Sequence, residues 1–196
     1  MTLFSTTKAN LPSWVKNRHQ SGQWRPESAE TSSGKADSSP SSCSTTRAND
    51  PSSYGPNGER LVSGVVPLSP DHTHVLLIQS SSRKNWVLPK GGWETDERTA
   101  EDAACREAWE EAGIECAIEK DLGTIEEKRS EAQIAKNPHA PRAAYRFYEV
   151  RVVEEKSSWP ESHKRRREWM SYGKAKELLR DRAELMEALE RSSIKR

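Results

Sequence analysis

Three glutamates, Glu107, Glu110 and Glu111, stand at i, i+3 and i+4 within GGWETDERTAEDAACREAWEEAGI, the segment from Gly91 to Ile114. On a helix these positions share a face, with Cβ atoms roughly 5 to 6 Å apart, so three carboxylates can converge on one divalent cation or a close pair. Just before them, Pro89-Lys90-Gly91-Gly92 is a turn signal in which glycine lets backbone approach a ligand closely. Carboxylates beside a glycine turn are the outline of a metal-assisted phosphate site. The ordinary alternative is a solvated acidic face, and two costs weigh against it. Glu110 and Glu111 lie in the last turn, where the helix dipole disfavours acidic groups by about 0.3 to 1 kcal/mol. Glu107 and Glu111 are like charges at i, i+4, which costs roughly 0.2 to 0.5 kcal/mol more. A bound divalent cation reverses both.

The helix that must carry these residues spans 100–112. Thr99 with Asp102 three residues later is a capping signal that opens it. Gly113 closes it, because glycine adopts the left-handed conformation without strain. Around the helix, 61–68 and 73–79 read as strands, with Val75-Leu76-Leu77-Ile78 too apolar for a surface strand. Further strands are expected at 114–118, 143–153 and 168–170, and helices at 174–180 and 182–191. In 143–153, Tyr145, Phe147, Val150 and Val152 break strict alternation, which suggests a bulge.

The segment resembles the Nudix box, G-x5-E-x7-R-E-U-x-E-E-x-G-U, in which U is an aliphatic residue. Arg106-Glu107-Ala108-Trp109-Glu110-Glu111-Ala112-Gly113-Ile114 supplies its second half. The first half departs from the pattern. Counting back from Arg106 puts Arg98 where glutamate belongs, whereas counting forward from Gly91 keeps Glu97 and leaves one extra residue, the simpler account. Ala108 is also smaller than the usual aliphatic. Beyond the box, Ser80-Ser81-Ser82-Arg83, Trp86-Val87-Leu88-Pro89-Lys90-Gly91-Gly92 and Arg165-Arg166-Arg167-Glu168-Trp169 are similar to the diphosphoinositol polyphosphate phosphohydrolases, a group that also cleaves diadenosine polyphosphates and inorganic polyphosphate. The similarity covers 60–189.

The resemblance implies an α/β fold, the Nudix-type α/β/α sandwich with a mixed sheet over 56–192, preceded by a disordered tail over 1–55. It implies hydrolysis of a phosphoanhydride by metal-assisted attack of water on phosphorus. Mg²⁺, with Mn²⁺ as substitute, is the expected cofactor, and it suits carboxylate oxygens. Glu107 and Glu111 are the expected ligands, and Glu110 the favoured base and a further ligand. Arg106 is expected to orient the acidic cluster.

Substrate of this class is densely anionic and calls for Arg and Lys donors. Ser81, Ser82, Arg83, Lys90, Gly91, Gly92 and Arg165 are the substrate candidates, with His139, Arg60 and Arg182 as further ones. Two rival readings stand beside this one. A dinucleoside polyphosphate or RNA cap hydrolase would need an aromatic stacking partner, Trp93 or Trp159. A non-catalytic inositol pyrophosphate-binding protein would use the same basic cleft without chemistry.

The chain has 196 residues, room for one catalytic domain and a tail, and a net charge of +1, which argues against extended nucleic-acid binding. The expected partner is a small polyphosphorylated molecule, and a monomer is favoured. The Ser/Thr-rich residues 1–55 hold too few large aliphatics to offset chain entropy. Before Glu27 they contain Lys8, Lys16, Arg18 and Arg25 and no acid, a faint likeness to a mitochondrial transit peptide against which Pro12 and the lack of a clear amphipathic helix speak. No apolar run is long enough to span a bilayer, and Cys43, Cys105 and Cys116 are odd in number without ligand spacing. Cytoplasm and nucleus are therefore the expected location. His19, His72, His74 and His163 form no recognisable ligand spacing.

Overall fold

The computed structural model describes residues 53–81, 85–129 and 131–196. The chain divides into units 1–47 and 48–196, and the description concerns the second. Residues 1–52 of the expected tail, together with Ser82 and Arg83, lie outside the described residues, and Tyr54, within the expected tail, forms a bridge with Arg60.

Seven strands form one mixed sheet: β1 Arg60–Leu68, β2 His74–Gln79, β3 Trp86–Val87, β4 Lys90–Gly92, β5 Ile114–Glu126, β6 Ala143–Glu155 and β7 Arg167–Ser171. Helix α1 (Ala100–Ala112) lies between β4 and β5, α2 (Glu131–Lys136) between β5 and β6, and α3 (Tyr172–Leu179) and α4 (Ala183–Arg191) follow β7. The centre is the parallel pair β1 and β6, in register from Arg60 opposite Ala143 to Leu68 opposite Arg151. The other edge of β1 is shared by β4, at Val62 to Gly64, and β2, at Leu68. Strand β2 also pairs with β3 and β7. Along the central strands alternate residues face opposite helices: burial raises the phenols of both Tyr145 and Tyr148, but Tyr145 feels Glu184 of α4 and Tyr148 feels Glu101 of α1.

Val75, Leu76, Leu77 and Ile78 are fully buried on both faces of β2, as their apolar run requires. Helix α1 seats Ala103, Ala104, Ala108 and Ala112 completely buried, so the small Ala108 sits at a close helix-sheet contact. Thr99 caps its start, accepting the Asp102 N–H at 3.2 Å, and Gly113 ends it at φ 63° with its N–H on Trp109 O at 2.9 Å.

Several features differ from the sequence expectation, among them Lys90–Gly92, read as part of a turn and here strand β4 paired with β1. Strand β5 runs to Glu126, not 118, with register shifts against β6 that hide its polar middle from periodicity. In β6 the broken alternation reflects burial of both faces from Phe147 to Val150, and its own extra residue is Val153. Helix α2 has no apolar stripe to announce it, and its described side chains are exposed.

Candidate active site

The acidic face of α1 is organised by one arginine. Arg106, 8 % exposed, donates from Nε to Glu97 Oε1 (2.7 Å), from Nη1 to Glu107 Oε1 (2.8 Å) and Glu110 Oε2 (3.1 Å), and from Nη2 to Glu97 Oε2 (3.2 Å) and Gly92 O (2.8 Å). The planar guanidinium makes this possible, since its donors point in fixed directions that a single ammonium lacks. It ties the glycine strand β4 to the helix. Glu97 is wholly absorbed in this structural role: its Oε2 also accepts the Glu94 N–H at 2.8 Å, which closes the turn before α1. The extra residue between Gly91 and Arg106 is therefore accommodated ahead of the helix, with Glu97 at its partner.

Glu107 and Glu111 lie one turn apart and are buried against β4. Gly91 is in contact with the first: a Cβ there would stand 2.0 Å from Glu107 Oε1. The Lys90 N–H donates to Glu111 Oε2 at 2.9 Å, and Arg165 Nη2 donates to Glu111 Oε1. Arg165 is braced by Glu161, which accepts from its Nε, and by Gln79 O, 3.3 Å from Nη1. Glu110 is the outlier of the three, with a side chain 38 % exposed beside the buried pair.

Burial dominates the electrostatics. It pushes the Glu107 carboxyl up to about 7 although Arg106 pulls it down, and it raises Glu111 against the Lys90 N–H. Burial likewise pulls the Lys90 ammonium below its ordinary range; Glu111 opposes the fall, and Arg182 and Arg165 add to it. Two buried carboxylates on one helical face, whose burial outweighs the guanidinium groups of Arg106 and Arg165, suit a divalent cation with hard oxygen preference. Glu107 and Glu111 fit such an ion, with Glu110 beside them.

A pH dependence follows. Between pH 4.5 and about 7 folded Glu107 keeps a proton that the unfolded chain has released, so its contribution is full below that window and is lost as pH rises through it. At 1.36 kcal/mol per pKa unit this is about 3 kcal/mol. Urea unfolding in EDTA is expected to show lower stability at pH 7.5 than at pH 5, with millimolar Mg²⁺ removing most of the difference; a flat profile in EDTA would refute this.

The C-terminal end of α1 has no basic residue in its last turn, yet its carbonyls are not left bare. Arg167 of β7 donates from Nη1 to Ala112 O (2.5 Å) and Gly113 O (3.1 Å), and lies 4.4 Å from the centre of the Trp159 ring. Trp159 donates its indole N–H to Glu111 O at 3.2 Å. This long-range cap offsets the dipole penalty on Glu110 and Glu111. It also employs Trp159, a candidate stacking residue, as packing on the helix end. Trp93 is half-buried with its indole N–H toward Glu97 O at 3.3 Å.

Of the sequence candidates, the structure brings Lys90, Gly91, Gly92 and Arg165 together with the three glutamates, and places Arg182 within electrostatic reach of Lys90. Arg182 itself donates to Glu184 at 2.7 Å. Ser81 is exposed two residues after β2, His139 is exposed between α2 and β6, and Arg60 opens β1. Glu161, Trp159 and Arg167 were missed as supports. For Glu161 the signal was its i, i+4 spacing to Arg165. A second group, His72, Glu119 and Glu149, places three ligand-type atoms within 4.8 Å of one another, which no sequence spacing announced. Its members are already engaged: Ser193 bonds Glu149 and His72, and Arg151 bonds Glu119.

Comparison with known proteins gives this geometry its context. The model of the NUDIX domain matches residues 58–189. "Nudix hydrolase 16, mitochondrial" of Arabidopsis thaliana is 38% identical over 136 residues, 63% of this chain and 74% of the relative. The human "Diphosphoinositol polyphosphate phosphohydrolase 3-alpha" is 28% identical over 127 residues, 63% of this chain and 71% of its own. A solved NUDIX hydrolase from Nitrosomonas europaea shares the fold, with TM-score 0.55, 18% identity, and coverage of 68% of this chain and 87% of that one. The names correct one expectation. Several further relatives from Arabidopsis thaliana, Nudix hydrolases 12, 13, 17 and 18, are also called mitochondrial, against the cytoplasm and nucleus expected from the lack of a membrane-spanning run. That inference failed because a missing apolar span speaks only to helices that cross a bilayer and leaves the compartment open. The NUDIX match runs through β1, the whole of α1 and β7, and with it the chain belongs to the Nudix family of hydrolases.

Proposed function

We propose that the protein hydrolyses phosphoanhydrides of densely phosphorylated small molecules, with diphosphoinositol polyphosphates preferred and diadenosine polyphosphates and inorganic polyphosphate as further substrates. The observation that carries this is the gathering of Lys90, Arg165 and Arg182 within electrostatic reach of one another: burial chiefly depresses the Lys90 ammonium and the two guanidinium groups add to the fall, a surplus of positive charge that an anion of several charges would relieve. The name of the human relative points to the same substrate class.

In this reading Glu107 and Glu111 hold Mg²⁺ or Mn²⁺, which neutralises diphosphate charge and lowers the pKa of water. Arg165, braced by Glu161, has N–H groups to spare for phosphate oxygens. The backbone of Gly91 and Gly92 lies along the diphosphate. Arg106 keeps Glu107 and Glu110 aimed and takes no part in the chemistry. Glu110, the most exposed of the three, accepts the proton of the attacking water. Its replacement, Glu110→Gln, is expected to lower turnover about 10²- to 10⁴-fold at unchanged metal affinity; near-normal turnover would remove it as the base.

The test is phosphate release from a diphosphoinositol polyphosphate, diadenosine hexaphosphate and polyphosphate with Mg²⁺, for wild type and Glu111→Gln. Turnover that is lost in the variant supports the hydrolase and ranks its substrates. Tight binding without release from any of them makes this a sensor. The same reading places the protein in mitochondria, on the strength of the relatives' names and the acid-free basic residues Lys8, Lys16, Arg18 and Arg25. Uptake into a protease-protected space of isolated mitochondria checks it.

A further inference from the structure

Ser63 of β1 is 1 % exposed, and its hydroxyl has no hydrogen-bond partner. A buried hydroxyl left unpaired costs about 1 to 3 kcal/mol, so its position asks for a ligand that it meets in another state of the site. Its surroundings narrow the choice. Ser63 pairs directly with Gly91 across the antiparallel β1–β4 contact, and opposed residues in such a pair share a face with Cβ positions about 4.5 to 5.5 Å apart. The Cβ position of Gly91 is itself 2.0 Å from Glu107 Oε1 and 2.4 Å from Oε2. The next row faces the other way, since the Cβ position of Gly64 meets Lys90 Cβ and Phe147 at 2.6 Å. On the β6 side of Ser63, Arg146 turns to Asp121 at 2.5 Å. The carboxylate that the register brings to this side of β4 is that of Glu107, held meanwhile by Arg106 at 2.8 Å.

We propose that Ser63 is a positioning residue for the metal site: its hydroxyl donates to the Glu107 carboxylate when the cation is bound, fixing the rotamer in which the other lone pairs face the ion. This rests on reading Glu107 as a metal ligand. Gly91 is what allows it, because any side chain there would stand between the two groups. Partners of metal-bound carboxylates orient their ligands, and their loss commonly weakens metal binding about 10- to 100-fold.

The experiment is titration of the full chain with Mn²⁺, followed by the EPR signal of the free ion, for wild type, Ser63→Ala, Ser63→Cys and Glu107→Gln, with thermal unfolding of each in EDTA. The expected result is Mn²⁺ affinity about ten-fold or more weaker in Ser63→Ala, intermediate in Ser63→Cys with its weaker donor, and unfolding in EDTA unchanged or raised. Ser63→Ala binding within two-fold of wild type, while Glu107→Gln has lost the ion, overturns the role of Ser63 alone. A fall in both affinity and unfolding temperature for Ser63→Ala makes it structural and overturns it too. Unaltered binding in Glu107→Gln overturns the metal-ligand reading and Ser63 with it.

Discussion

Replacing Arg106 by methionine is expected to destabilise the metal-free protein by about 3 to 5 kcal/mol, the usual cost of breaking a buried ion pair by removing one partner. The reason lies in what remains. Glu97 and Glu107 are both buried, and the first has a side chain only 1 % exposed, so neither reaches water when the guanidinium is gone. Gly92 O loses its donor as well, which frees β4 from the helix. For a domain of this size the loss lowers Tm by roughly 10 °C or more. Arg106→Lys keeps one charge but cannot serve five oxygens in different directions, and recovers only part of it. The defect should shrink as pH falls through the range in which Glu107 takes up a proton. A methionine variant that melts with wild type at pH 7.5 would show the network to be idle.

The second large effect separates function from stability. In Gly91→Ala the new Cβ would overlap the Glu107 carboxylate at 2.0 Å, a clash only movement can relieve. The mobile partner is the end of the glutamate side chain, not backbone, so the fold gives little while the expected ligand swings away from its place. Misplacement of a reacting group by about 1 Å can cost 10²-fold, and turnover and Mn²⁺ affinity are both expected to fall by about that factor. Urea unfolding in EDTA should move little. Equal losses in stability and activity would instead mean that β4 itself is displaced. The requirement for glycine here is one of space, not of backbone conformation, because Gly91 is not among the positive-φ glycines of the described residues, Gly58, Gly113 and Gly123.

Some of this was readable from the chain. The helix 100–112 was bounded by Thr99 and Gly113, and the structure has those ends. The grouping of Glu107, Glu110 and Glu111, and the dependence of Glu107 and Glu110 on Arg106, follow from spacings of one, three and four residues on a regular helix. Gly91 could be seen as a place of close approach, but not what approaches it. The core of β2 was legible for the same reason, since four consecutive apolar residues need cover on both faces.

The support of the site was not legible. Arg167 and Trp159 cap the end of α1 from more than forty residues away, and their neighbours in the sequence give the same reading as any basic loop. Arg165 reaches Glu111 across 54 positions, braced by Glu161 four positions before it. Ser63 is opposite Gly91 only because β1 and β4 pair in that register. By itself the sequence determined which groups can do chemistry and the helix that spaces them, because those relations are set within a few residues by backbone geometry. Only the tertiary structure decided which cations and hydroxyls stand against them, because strand register and loop closure bring together positions whose separation along the chain carries no periodic signal.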